Sequence, residues 1–145
     1  MIRVNCIFCK ISSGNLPAIQ IYETPRVMAF LDVLPVQLGH TVVVSKSHYV
    51  NLLDLPDDLF LEMGQVGRKV AQAFQEVLRA QGFNLVMNNY EVAGQTVFHT
   101  HIHVIPRFAD DGMRIIPQEK KKYERDGMVQ MGRRLSEALI SRGDG

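Results

Sequence analysis

The chain has 145 residues, 46% hydrophobic and 21% charged, which is the make-up of an ordinary globular domain able to bury a core without disulfide staples. Lys and Arg total 16 against 15 for Asp and Glu, and a net charge of +1 excludes a protein that binds duplex nucleic acid by phosphate neutralisation alone. The longest apolar runs, such as Thr41-Val42-Val43-Val44, fall far short of the ~20 residues of a membrane span, and no signal-peptide apolar region opens the chain, so the cytoplasm is the expected compartment.

Both cysteines lie in Cys6-Ile7-Phe8-Cys9, a short-spaced pair that points to metal or redox chemistry before a structural disulfide. Gly14-Asn15-Leu16-Pro17 is turn chemistry, and the β-rich runs Ile19–Glu23 and Val27–Leu31 around Thr24-Pro25-Arg26 predict a hairpin. The β-branched run Thr41–Ser45 predicts a central strand. From Asp54 to Gln81 the apolar residues Leu59, Met63, Val66, Val70, Phe74, Val77 and Leu78 recur every three or four positions, which predicts a long helix. Asp54 or Asp57 is expected to cap its start and Gly82 to stop it. A strand over Phe83–Asn88, a loop over Tyr90–Thr96 and a last strand from Val97 to Arg107 follow. Asp110–Arg125 carries no clear period; Met128, Met131, Leu135 and Leu139 mark a C-terminal helix, with Gly143-Asp144-Gly145 as a fraying end. No repeat or linker interrupts the chain, so residues 1–145 read as a single domain of α+β class with a mainly antiparallel sheet.

Phe98-His99-Thr100-His101-Ile102-His103-Val104-Ile105-Pro106-Arg107 holds three of the five histidines at alternate positions. In a strand, residues i, i+2 and i+4 share a face, so His99, His101 and His103 are expected to line one surface and Thr100, Ile102 and Val104 the other. Three imidazoles on one face can bind a metal, move protons near neutral pH or attack an electrophile. Lys120-Lys121-Lys122 and Arg133-Arg134 are interleaved with Glu119, Glu124, Asp126 and Glu137, which reads as a solvated surface, and no nucleic-acid partner is expected.

The run resembles the motif of the histidine triad (HIT) family, histidine–apolar–histidine–apolar–histidine–apolar–apolar, with Thr100 in place of the first apolar residue. The resemblance extends through Cys6–Lys10, Phe30-Leu31-Asp32, Gly39-His40-Thr41, Ser45-Lys46-Ser47-His48, Asn88-Asn89 and Gly94–Arg107, all in the family's order. It implies a five-stranded antiparallel sheet with a long central helix and a C-terminal helix, usually in a homodimer. It also implies a nucleotide hydrolase, purine nucleoside phosphoramidase-like, that works through a covalent nucleotidyl-histidine. By motif position His101 would be the nucleophile, His103 and His40 would contact the α-phosphate, and Thr96 would stand near the leaving group. Asp32 would hold the ribose, Asn88 and the Gly94-Gln95-Thr96-Val97 turn the phosphate, and Ile7, Phe8, Phe30 and Leu31 the base. The logic is sound: a neutral imidazole attacks phosphorus better than water does, and neighbouring donors meet the charge as it builds.

In the branch of the family that carries the Cys-x-x-Cys pair, Cys6 and Cys9 would join His48 and His99 as ligands of a structural zinc, which leaves no catalytic metal. Taken alone the pair also fits a thioredoxin-type redox site, though no β-α-β pattern follows it, or inert thiols. Three rivals to the phosphoramidase reading stand: a dinucleoside polyphosphate (diadenosine tetraphosphate-type) hydrolase, a nucleotide-binding interaction protein with little turnover, and a metalloenzyme using the triad as ligands. The last is disfavoured because no acidic general base sits in the triad segment.

Overall fold

A computed structural model describes residues 3, 5–117 and 119–143. It divides into two compact units, residues 1–112 and 113–145. In the first unit the elements run α1 (Ile7–Ser12), β1 (Gln20–Glu23), β2 (Val27–Leu31), β3 (Thr41–Ser45), α2 (Asp57–Leu78), β4 (Gly82–Val86), a 3-10 turn (Glu91–Ala93) and β5 (His101–Arg107). The second unit contains α3 (Gly127–Ser141), on which Met128, Met131, Leu135 and Leu139 are all exposed. Asp144 and Gly145, two of the three residues expected to fray, lie outside the described residues.

The strands form one antiparallel sheet in the order β1-β2-β3-β5-β4, so the β-branched β3 is central as its composition predicts. Its alternation divides two cores. Val27, Ala29, Val43, Ile102 and Val104 face α2, packing against Leu59, Met63, Val66, Val70 and Phe74. Met28, Phe30, Val42 and Val44 face α1 and its Phe8. Each such buried Val, Leu, Ile, Phe or Met side chain contributes about 1.5–3 kcal/mol from removal of apolar surface from water. His101 pairs with Val44 and His103 with Val42, so these two histidines stand on the α1 face.

Four boundaries differ from the sequence expectation. The long helix begins after Pro56, because the Asp54 carboxylate accepts from the N–H groups of Val50 and Asn51 and closes a turn there. It ends at Arg79, held left-handed at φ 57°, rather than at Gly82, which opens β4 opposite Arg107. β4 is shorter than predicted, and β5 starts at His101 rather than Val97. α1 has no counterpart in the periodicity, since six residues are too few to show one.

Candidate functional site

Two groups of side chains converge near the start of β5. The first is Cys6, Cys9, His48 and His99, whose ligand atoms all lie within 4.8 Å of one another. One turn of α1 sets both sulfurs on one side: Cys6 caps the helix, its sulfur accepting from the Cys9 N–H at 3.4 Å. The Cys9 sulfur also accepts from the Arg3 N–H at 3.3 Å. His99 is fully buried, and its Nε2 lies 2.6 Å from the Ser45 carbonyl. A carbonyl only accepts, so the ring proton sits on Nε2 and the Nδ1 lone pair is bare. That lone pair lies 3.3 Å from the Cys6 sulfur and 3.5 Å from the Cys9 sulfur, while Nδ1 of His48 lies 3.4 Å from the Cys9 sulfur.

These distances test whether a metal fits. Tetrahedral zinc with bonds of about 2.3 Å to sulfur and 2.05 Å to nitrogen separates a sulfur from a nitrogen ligand by about 3.6 Å. The three observed separations approach that edge length. Burial pushes the Cys9 thiol up and the His99 imidazole down to about 4, so the two groups stay neutral without a cation, and a cation is what would favour the thiolate. Two sulfurs and two imidazoles, with the ring tautomer of His99 fixed by a backbone carbonyl, form a zinc set with part of its outer shell in place.

The second group is Asp32, His40 and His103, also within 4.8 Å of one another. His40 enters β3 from Gly39, whose φ is +99° and where a Cβ would come within 2.8 Å of Leu78 Cδ1. The Val36 N–H donates to Nδ1 of His40 at 3.2 Å, so the His40 proton sits on Nε2 and donates to Nδ1 of His103 at 2.9 Å. The His103 proton is thereby placed on Nε2. Asp32 accepts from the Leu34 N–H through Oδ1 at 2.9 Å, and its Oδ2 stands 3.7 Å from His40 Nε2. The space between the two rings already holds a proton, so this group is a donor relay and not a prepared cation site.

His101 lies between the two groups. Its Nδ1 is 2.6 Å from the His99 carbonyl, so Nδ1 carries the proton and Nε2 is a bare lone pair. Its ring stands edge-on to Phe8 at 5.0 Å and to His103 at 4.9 Å between centroids. Burial is the main cause that lowers His40, His101 and His103 below their ordinary value, which keeps all three imidazoles neutral at pH 7.

His101 and His103 line a cleft of about 470 Å³ together with Ile7, Phe8, Phe30, Leu31, Asp32, Thr96 and Val97. The sequence reading missed four further lining residues, Ile11, Leu16, Pro17 and Ala18, whose only signal was the turn chemistry ending in Leu16-Pro17. His40 stands behind His103 and is buried. Asn88, Gly94 and Gln95 are not among the residues lining this cleft. The Asn88 amide reaches the Gly94 carbonyl at 3.5 Å, and the buried Gln95 amide joins Tyr90, Val50 and Val97. Their side chains tie loops together. A neutral lone pair beside an N–H donor, in a largely apolar cleft that the Asp32 carboxylate also lines, can attack an electrophile and donate to the charge that develops on it.

The sequence matches the HIT domain over residues 13–110. It is 43% identical over 104 residues to "Protein hit" of Bacillus subtilis, covering 72% of each chain. It is 37% identical over 103 residues to an Arabidopsis thaliana protein named adenylylsulfatase HINT3, covering 71% of this chain and 52% of that one. The fold superposes on a zinc-bound histidine triad family protein from Mycobacterium smegmatis with a TM-score of 0.74 and 38% identity, covering 97% of this chain and 96% of that one. With its sheet order, its triad strand and these relatives together, the chain belongs to the HIT domain family, a family of nucleotide-binding proteins and nucleotide hydrolases.

Proposed function

We propose that the protein is a purine nucleoside phosphoramidase-like hydrolase that breaks the bond between an α-phosphorus and its leaving group through a covalent nucleotidyl-His101. One observation carries the reading: the 2.6 Å bond from Nδ1–H of His101 to the His99 carbonyl leaves Nε2 bare in the cleft. Nε2 attacks the phosphorus, the phosphorus–nitrogen bond of the substrate breaks, and the leaving nitrogen takes a proton from the exposed mouth beside Thr96. The ring becomes cationic as the bond forms, and the His99 carbonyl dipole stabilises that charge. The His103 Nε2–H donates to a non-bridging oxygen, with His40 holding its tautomer. Water then attacks the same phosphorus, the bond to His101 breaks, and one proton leaves to solvent with the monophosphate, so one water is consumed in all. Asp32 Oδ2 accepts from the ribose hydroxyls, and Phe30 and Leu31 face the base. Asn88, Gly94 and Gln95 act through the loop that presents Thr96 and Val97.

Phosphoric anhydrides are the second reading, because their leaving groups need no proton and one relative is named an adenylylsulfatase. A panel of adenosine 5′-phosphoramidate, adenosine 5′-phosphosulfate and diadenosine tetraphosphate, compared by kcat/KM, separates the two. The phosphoramidate is expected to lead, with an adenylyl group on the 98–107 peptide after acid-free quenching. If none of the three turns over and no adduct forms, the reading gives way to a nucleotide-binding protein with little turnover.

Cys6, Cys9, His48 and His99 hold a structural zinc in this reading, which ties α1 to the loop after β3 and to the start of β5; the zinc-bound relative supports it. No helix among the described residues is long and apolar enough to cross a membrane. Work in the cytoplasm rests on the paired thiols, and residues 1–145 are read as one working domain. A homodimer rests on the edge strand β4 with Phe83 and Leu85 exposed, and on Phe60 and Leu61 exposed on α2. Light scattering is expected to return twice 16.4 kDa.

A further inference from the structure

A second cleft, of about 420 Å³, adjoins the one that holds His101 and His103, and Ile7, Thr96 and Val97 line both. The two spaces therefore share a wall. Phe30, Leu31 and Asp32 line the first cleft only, so a base and ribose seated on them leave the second cleft unclaimed. Its chemistry differs from that of its neighbour. No acidic side chain lines it; its polar side chains are those of Arg3, Asn5, Thr96, Cys6 and His48. Among the described residues no carboxylate pairs with the Arg3 guanidinium, and the Asn5 amide and Thr96 hydroxyl have no hydrogen-bond partner. Ile7, Val50 and Phe98 add apolar surface, and Ile7 and Phe98 are about half exposed.

Arg3 is exposed, yet its main chain is tethered on both sides. Its N–H donates to the Cys9 sulfur at 3.3 Å, and its carbonyl accepts from the Cys6 N–H at 3.2 Å. A guanidinium carried on a fixed backbone loses less freedom when it meets a ligand than one on a free segment. An unpaired cation, two free polar side chains and exposed apolar surface in one concavity match a group with an apolar body and an anionic end.

We propose that this second cleft receives the leaving group and that Arg3 selects leaving groups carrying an anion, a carboxylate or a phosphate-type group, on an apolar body. The subsite presupposes His101 as the nucleophile that breaks a phosphorus–nitrogen bond, and it names what stands on the departing side of that bond. The amine leaves past Thr96 into the second cleft, where the forked N–H groups of Arg3 donate to its anion and Ile7, Val50 and Phe98 cover its body.

Arg3 does not line the cleft of His101 and His103, so it touches neither the phosphorus nor the nucleophile. It therefore governs which conjugate is accepted and leaves the rate on a phosphoramidate without a body unchanged. Because Arg3 is exposed, solvent screens the pair, and the expected selection is about fivefold, the upper end for an ion pair at such a site.

The experiment uses the full chain with four adenosine 5′-phosphoramidates: the unsubstituted compound and the conjugates of phenylalaninamide, phenylalanine and 1-amino-2-phenylethylphosphonate. The last three share one apolar body and differ in the charge beside the nitrogen. In the wild type, kcat/KM is expected to be about fivefold higher for the charged conjugates than for the neutral amide, and whichever of the two leads tells carboxylate from phosphate-type recognition. Arg3→Met keeps a stem of similar length without the charge; it should lose that advantage while zinc content and turnover of the unsubstituted compound stay as in the wild type. An advantage that survives Arg3→Met overturns the inference, as does a wild type that favours the neutral amide. If Arg3→Met does not fold, salt decides on the wild type: the advantage should shrink with rising ionic strength, and a salt-independent one overturns the inference. Affinities for the His101→Asn protein answer the same question without turnover, and equal affinities for charged and neutral conjugates also overturn it. All of these results leave the nucleophile in place. Absence of turnover and of any adenylyl adduct with the unsubstituted phosphoramidate would instead remove the functional reading beneath it.

Discussion

The set Cys6–Cys9–His48–His99 and the set Asp32–His40–His103 each have donor atoms within 4.8 Å of one another, yet they are built for different work. In the first, the His99 proton faces away to the Ser45 carbonyl and its lone pair points inward. In the second, the Val36 N–H occupies the outer nitrogen of His40, so the inner one carries a proton towards His103. In His99 and His40 a backbone group on the far side of the ring decides the matter: the Ser45 carbonyl leaves His99 a lone pair facing the sulfurs, and the Val36 N–H leaves His40 a proton facing His103. Residue type and proximity alone do not separate the two.

The largest effect tests the residue between the sets. His101→Ala should lose nucleotidyl-enzyme formation and at least ~10³-fold in turnover while still binding nucleoside monophosphate; near-normal turnover would remove the nucleophile. Next, metal analysis should find about one zinc per chain, unchanged in His103→Asn, whereas Cys6→Ser with Cys9→Ser should lose it and melt at lower temperature. Two zinc ions per chain in the wild type would break the distinction between the sets.

The pH dependence follows from burial. His99 is held at about 4, and His40, His101 and His103 lie below their ordinary 6.5, so in the metal-free protein the unfolded chain binds protons that the folded chain refuses. Stability is full above about 6.5 and falls as the pH drops from there towards 4. Melting curves from pH 7.5 to pH 4.5 check it, and a melting temperature that rises on acidification would contradict the buried neutral rings. The smallest effect concerns Thr100, between His99 and His101, whose buried hydroxyl lacks a hydrogen-bond partner among the described residues. Thr100→Val should stabilise by about 1 kcal/mol in chemical denaturation, with zinc content unchanged.

Much of this was legible in the chain. β2 and β3 fall where the β-rich run Val27–Leu31 and the β-branched run Thr41–Ser45 predict, because both are buried on each face. The period-two histidines located the site, although the same alternation carried the predicted strand four residues too far, past the point where ladder pairing begins. α1 is invisible as a period yet brings Cys6 and Cys9 together, and the wall at Ile11–Ala18 depends on where that helix docks. The tautomers were beyond the sequence, since they follow from which carbonyl or N–H the tertiary fold sets behind each ring.

The spacing of the first set has a consequence for how the protein comes into being. Cys9 and His99 are 90 residues apart, whereas His99 and His101 are separated by one residue. During synthesis both cysteines and His48 emerge early and wait, and chains fold as their segments become available. The fourth donor leaves the ribosome almost together with His101 and His103. A nascent chain therefore has neither a complete four-residue metal set nor a complete histidine triad until the same short stretch is made, and both then arrive within five residues of translation.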